Sequence, residues 1–287
     1  MRRRVPHIVG AYFAGGWILL EFTDWAVGHW VLSPHITDFV VTVWLFMIPA
    51  VALLAWTHGA PGRDRWTRVE TVGVALNVII AAAIMFGLFQ GRDLGAATNT
   101  VTVLDEEGRS VEREIPKREF TRRVAVFAFV NETDDADLDW LQLGVPWSLT
   151  LDLEQDDWIR PVAGFAEELG SGPFSPSHLP LAQQRELARG RFLDYLLVGS
   201  IHGGRDSLVL KCRLYDADTG TLIEEREFDG SHPLDLLDRV SLQLRKDLEM
   251  PSGHVAKTPD LPVRELLSDS LVAVRAFLQA EYAEGRD

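Results

Sequence analysis

The chain has 287 residues, 47% of them hydrophobic, with 28 Lys and Arg against 42 Asp and Glu, for a net charge of -14. That acidic balance argues against sequence-independent nucleic-acid binding, which needs Lys and Arg to displace phosphate counterions. One cysteine, Cys212, excludes an internal disulfide and a thiolate zinc site, and the aliphatic content excludes disorder for most of the chain.

The charge is unevenly placed. Residues 1–100 hold 7 basic and 6 acidic residues, a balance of +1, and residues 101–287 hold 21 basic and 36 acidic, a balance of -15. A mean hydropathy of +0.02 therefore averages an apolar third with an acidic remainder.

The apolar third reads as three helical spans within residues 1–92. The first runs from about Ile8 to about Val31. The arginines Arg2, Arg3 and Arg4 precede it, but no small-x-small cleavage site leads into a mature domain, so we read a retained span and not a signal peptide. Phe39 to Thr57 and Thr71 to Gln90 are free of charge over 19 and 20 residues. About 20 apolar residues cross about 30 Å of hydrocarbon as a helix.

Orientation follows from the basic residues of the short loops. Arg2, Arg3 and Arg4 lie before the first span, and Arg63, Arg65 and Arg68 lie between the second and third. The loop from Ser33 to Asp38 has neither Lys nor Arg. The expected topology puts the N-terminus in the cytoplasm and, after three crossings, the acidic domain in the periplasm of a bacterial inner membrane. Trp25, Trp30, Trp56 and Trp66 fall near the expected interfaces, where an indole keeps its ring in lipid and its N–H in water. Glu21 and Asp24 share a helix face at i, i+3. With Asn77 they are candidate intramembrane polar contacts, although a tilted or shorter first span would put both acids near the outer interface. Pro49 is expected to kink the second span, and Gly10 with Ala14 forms a small-xxx-small pair for helix contact.

Residues 93–121 read as a connector. Val101, Val103, Val111 and Ile115 lie on strand-like runs, with a turn at Glu106-Glu107-Gly108-Arg109. Residues 122–250 read as an α/β or α+β domain with a mixed sheet. The apolar run Val124 to Val130 predicts one buried strand. A helix over Leu138 to Glu154, a strand over Trp158 to Val162 and a helix over Leu181 to Arg191 follow. Strands then cover Asp194 to His202, Ser207 to Asp216 and Leu222 to Phe228, and an amphipathic helix over Pro233 to Leu248 closes the domain. Residues 251–287 form a tail with a terminal helix.

Three segments carry a resemblance: Val124-Ala-Val-Phe-Ala-Phe-Val-Asn131, Leu193-Asp-Tyr-Leu-Leu-Val-Gly-Ser200 and Cys212-Arg-Leu-Tyr-Asp-Ala-Asp-Thr-Gly220. They resemble the TolB-like domain of bacterial membrane proteins, related to the amino-terminal domain of TolB. The apolar part is similar as well. It has an Arg-rich start, Ala11-Tyr12 followed by Trp17-Ile-Leu-Leu-Glu21, a second span with Pro49, and Ala55-Trp56 at its end. The resemblance covers about residues 2–250. It implies a membrane anchor carrying a folded envelope domain. In the family tetratricopeptide repeats usually follow this module, and Pro262 to Gly285 looks like the beginning of one such helix.

The search for chemistry ends without a catalytic residue. Asp134, Asp135, Asp137 and Asp139 lack the spacing, glycine and closing glutamate of a calcium loop and read as solvated charge. Asp152, Glu154, Asp156 and Asp157 read the same way. Ser148 and Ser200 lack a nucleophile elbow, and the histidines show no metal-ligand spacing. Cys212 alternates within a strand and packs in the core. We expect no enzyme activity, no cofactor and no metal.

The expected role is a structural subunit that meets membrane lipids, other membrane-protein subunits and a periplasmic protein partner, and no nucleic acid. A large bioenergetic complex, a photosynthetic reaction centre with light-harvesting proteins or a respiratory assembly, is the expected setting. The alternative is an envelope sensor that binds a periplasmic ligand or partner.

Overall fold

The computed structural model describes residues 5–58, 67–104, 108–163, 179–258 and 260–284. The chain divides into two compact units. The first holds Met1–Thr102 and Pro251–Ala256, and the second holds Val103–Met250 and Lys257–Asp287.

The first unit is helical: α1 (Val5–Trp30), α2 (His35–His58) and α3 (Arg68–Phe89). Two of these are long and apolar enough to cross a membrane, over His35–Thr57 and Arg68–Phe89. The third expected span, α1, is one continuous helix of 26 residues that carries Glu21 and Asp24. Helix α3 starts at a capping box, in which the Glu70 N–H donates to Thr67 Oγ1 (3.3 Å) and the Thr67 N–H donates to Glu70 Oε2 (2.9 Å). Two of the N–H groups left over at a helix start are thereby satisfied.

Helix α2 packs against both α1 and α3. A Cβ at Gly16 would lie 2.0 Å from Trp44 Nε1, so the missing side chain makes room for the indole of α2. Gly10 meets nothing within 4 Å. The close approach of α1 to α2 therefore runs through Gly16 and not through the Gly10 and Ala14 pair. Helix α2 continues through Pro49. Past α1, Val31 takes φ 53°, and its carbonyl accepts from the Ala97 N–H (2.9 Å). Short helix α7 (Ser252–Val255) lies against the end of α1, where a Cβ at Gly253 would sit 2.3 Å from the His29 carbonyl oxygen.

Strands β1 (Thr98–Leu104) and β2 (Ser110–Pro116) pair as the expected hairpin, and Gly108 takes φ +74°. Turn residues 105–107 lie outside the described residues.

The second unit is an α/β domain. Its elements in order are β3 (Arg122–Val126), β4 (Val130–Asn131), α4 (Leu141–Leu153), β5 (Ile159–Val162), α5 (Leu181–Gly190), β6 (Tyr195–Gly204), β7 (Ser207–Asp216), β8 (Leu222–Gly230) and α6 (Pro233–Asp247). The sheet order is β5-β3-β6-β7-β8, with β4 also on β6. Strand β3 runs parallel to β5 and β6, and β6, β7 and β8 are antiparallel. The sheet is therefore mixed. Ala125, Phe127, Leu196, Val198 and Tyr215 form a core with Ala188 of α5. Helices α4 and α6 pack on each other and on the sheet.

The run Val124 to Val130, expected as one strand, is broken. Val126 pairs with Leu197 and Val130 with Ser200, so four steps on this strand face three on β6. One extra residue is accommodated, which is a bulge. Within it the Phe129 N–H leaves the ladder and donates to the Gln142 carbonyl (2.9 Å). Gly199 permits this, since a Cβ there would lie 2.2 Å from the Phe129 ring.

After α7 the chain forms α8 (Val263–Leu266) and α9 (Leu271–Glu284). Val274 and Leu278 of α9 are buried, and Phe277 meets the Trp147 ring of α4 at 5.3 Å.

Candidate functional site

In the helical unit, Val72, Leu76, Ile79 and Phe86 of α3 are exposed. Their spacing puts them on one helix face. Trp25 and Trp30 of α1 and Trp56 of α2 are exposed as well. Trp25 stacks on His29 at a centroid distance of 4.9 Å and meets Trp30 edge-on at 5.5 Å. Glu21 and Asp24 are exposed on α1. Asn77 is not brought to them; its Nδ2 donates to the Phe46 carbonyl of α2 (3.2 Å). Arg68 opens α3. Trp66, Arg2, Arg3, Arg4, Arg63 and Arg65 lie outside the described residues.

In the α/β unit, the acidic loop is tied to the β6–β7 turn. Arg205 Nε lies 2.6 Å from Asp135 Oδ2, and Arg205 also bonds to Asp137. The Arg205 guanidinium, with the Asp137 N–H second, holds the Asp135 carboxyl below its ordinary range. Asn131 Nδ2 donates to Asp139 Oδ1 (2.7 Å). These acids serve as loop fasteners, with Asp135 and Asp137 sharing Arg205 and Asp139 held by Asn131.

Asp152 and Asp156 correct a sequence expectation. Both are buried and not solvated. Arg245 of α6, itself buried, lies 3.6 Å from Asp156 Oδ2 through Nε and 2.7 Å from Asp260 Oδ1 through Nη1. Burial pushes the Asp152 carboxyl up to about 6, with Arg245 pulling the other way. Cys212 is buried as expected, and burial pushes its thiol up to about 12, which leaves it inert as a nucleophile.

The sheet also assembles a group that sequence reading missed. Ser200 Oγ lies 2.8 Å from His202 Nε2, and His202 Nδ1 lies 3.5 Å from Glu132 Oε2. The order hydroxyl, imidazole, carboxylate is that of a nucleophile with its base. Ser200, however, sits mid-strand between β4 and β7. Its backbone N–H belongs to the sheet and is not held out for an oxyanion. The signal available in sequence was Ser-x-His at a period of two, which puts both side chains on one strand face.

A cavity of about 150 Å³ opens where β3 breaks into β4. Phe127, Val130 and Val198 line it from the sheet, Leu181 and Gln184 from the first turn of α5, and Arg213 from β7. Ligands of open α/β sheets bind at the carboxyl ends of parallel strands, at the point where successive connections run in opposite directions. The chain leaves β3 for β5 on one side and returns to β6 on the other, so the cavity occupies such a point. Among the described residues no group of three or more His, Cys, Asp or Glu is placed to hold a metal ion.

No protein-family model matches the chain, and no curated protein matches it. Similar solved structures include the LpoB C-terminal domain from Salmonella enterica, 17% identical over 39% of this chain and 83% of that one, with a TM-score of 0.32. TolB from Acinetobacter baumannii is 10% identical over 53% of this chain and 30% of that one, with a TM-score of 0.31. The PelC dodecamer from Paraburkholderia phytofirmans, in one crystal form, is 15% identical over 53% of this chain and 99% of that one, also with a TM-score of 0.31.

Proposed function

We propose that this chain is a non-catalytic membrane protein whose α/β domain docks on a protein partner in the periplasm. The observation that carries the reading is the bare apolar face of α3, with Val72, Ile79 and Phe86 64–71% exposed. Hydrocarbon is the solvent that suits such a face, because a helix of a soluble protein turns its apolar stripe to the core. In this reading α1 is a third span, with Arg2 to Arg4 and Arg63 to Arg68 on the cytoplasmic side. Trp25, Trp30, Trp56 and Trp66 stand at the interfaces. The anchor occupies residues 1–92, a connector follows to 121, the docking domain spans 122–250, and 251–287 is a tail with a terminal helix.

Support for docking over catalysis comes from the sheet. Among the described residues, the nucleophile-like pair of Ser200 and His202 has no oxyanion donor, and the cavity lining presents an arginine but no carboxylate or histidine base. Three spans exceed what tethering needs, which favours a subunit of a larger membrane assembly, with a bioenergetic complex as the setting. The cavity at the β3–β4 break favours a second reading, an envelope sensor whose ligand enters there.

Purification of the tagged native protein in mild detergent tests the docking reading. A stoichiometric membrane-protein companion supports it, and a monomer without companions overturns it.

A further inference from the structure

We infer that the cavity at the β3–β4 break receives the apolar C-terminal residue of a partner protein, with the terminal carboxylate on Arg213. The inference rests on the reading of the α/β domain as a docking module. Its volume of about 150 Å³ fits one apolar side chain. A dry engineered cavity of that volume is known to hold benzene. In the lining of the β3–β4 cavity, Phe127 and Val198 are buried, Val130 is half-buried, and Leu181 is exposed.

The rim supplies the charge. Arg213 is exposed and has no hydrogen-bond or ion-pair partner among the described residues. Its strand neighbours behave differently. Lys211 pairs with Glu227 at 2.9 Å, and Arg226 with Asp247 at 3.0 Å. Glu225 stands opposite Arg213 in the β7–β8 register, yet the two form no ion pair. Among the described residues Arg213 is therefore a cation of the cavity lining left open to an anion. A guanidinium binds a carboxylate with two parallel N–H donors. Gln184 adds an amide on the same rim. The first turn of α5 has no acidic residue and no side-chain cap, so nothing there repels an anion. One arginine and a side-chain-sized cavity suit a chain terminus, where apolar group and carboxylate share one carbon.

The test is ¹⁹F NMR of the detergent-solubilised full chain with a hexapeptide ending in 4-fluorophenylalanine. The expected result is broadening that saturates, at least tenfold weaker binding of the C-terminal amide, and a similar loss with Arg213→Gln. Leu181→Trp, at an exposed position of the lining, is expected to narrow the cavity and weaken binding at least tenfold while circular dichroism stays unchanged. Equal binding of acid and amide overturns the inference, as does wild-type binding by Arg213→Gln or no broadening at millimolar peptide. Binding of N-acetyl-4-fluorophenylalanine as tightly as the peptide makes the site one for small acids and overturns the partner's terminus as its occupant. The docking reading is tested separately by the co-purified companion. A companion that survives Arg213→Gln leaves that reading standing while the inference fails.

Discussion

Arg245 and Asp156 form a charge pair inside the α/β domain, with Nε 3.6 Å from Oδ2 and side chains only 4% and 0% exposed. The pair joins α6 to the turn after α4, and Asp260 extends it to the segment before α8. Removing one member of a buried pair leaves the other charge desolvated and costs about 3–5 kcal/mol. Arg245→Ala is therefore expected to destabilise the domain by that amount. Lys211→Ala, whose pair with Glu227 is exposed on both sides, is expected to cost less than about 1 kcal/mol. Thermal unfolding followed by circular dichroism checks both.

Asp152 makes the same region pH-dependent. Burial raises its folded-state pKa to about 6, above the ordinary carboxylate value of 3.8, so the folded chain binds this proton more tightly than the unfolded chain. Stability from this group is full below about pH 4 and is lost as pH rises through about 6, a total of about 3 kcal/mol. Asp152→Asn is expected to remove that slope and to stabilise the protein at pH 8. Unfolding curves at pH 5 and pH 8, compared with wild type, measure the slope directly.

Phe192 is held in the left-handed region at φ 58° after α5, and its side chain is 76% exposed. The N–H of Leu193 returns to the Ala188 carbonyl (2.9 Å), which closes the helix in a Schellman arrangement. A side chain there costs about 1–2 kcal/mol that glycine avoids, and little packing is lost with an exposed ring. Phe192→Gly is expected to stabilise the domain by about 0.5–1 kcal/mol, after the added freedom of the unfolded chain is counted. A rise in the denaturation midpoint without a change in slope is the readout.

Gly199 tests the bulge. Its missing Cβ is the space taken by the Phe129 ring, and a carbon there would also lie 2.6 Å from the Lys211 carbonyl oxygen. Gly199→Ala is expected to cost about 1–3 kcal/mol, as overpacking does. Gly204→Ala, which meets nothing within 4 Å, is the control. Phe129→Leu is expected to recover part of the loss, and the coupling of the two changes reads how much of the clash is with the ring.

These cases show where the sequence was legible. The α/β order could be read because apolar period and turn residues agree at each element. Asp218-Thr219-Gly220 marks the β7–β8 turn, and the Asp216 carboxylate caps it by accepting from the Thr219 N–H (2.7 Å). The break after Val126 was not legible, because Phe127 and Phe129 are apolar in a strand and in a bulge alike. The burial of Asp152 and Asp156 was hidden for another reason. It depends on Arg245, a residue far along the chain that only the packing of α6 on α4 brings near. Ser200 and His202 were adjacent on paper, but Glu132 reaches them only through the β4–β6 pairing. In the helical unit, length and composition marked α2 and α3. Glu21 and Asp24 lowered the contrast of α1, and the packing glycine proved to be Gly16.

The most direct test of the account is a dual reporter fused after Asp287, read together with alkaline extraction of the membranes. The account predicts phosphatase activity, no cytoplasmic β-galactosidase activity, and a protein that stays with the membrane pellet. Cytoplasmic reporter activity would contradict the three-span reading, and release into the alkaline supernatant would contradict membrane anchorage itself.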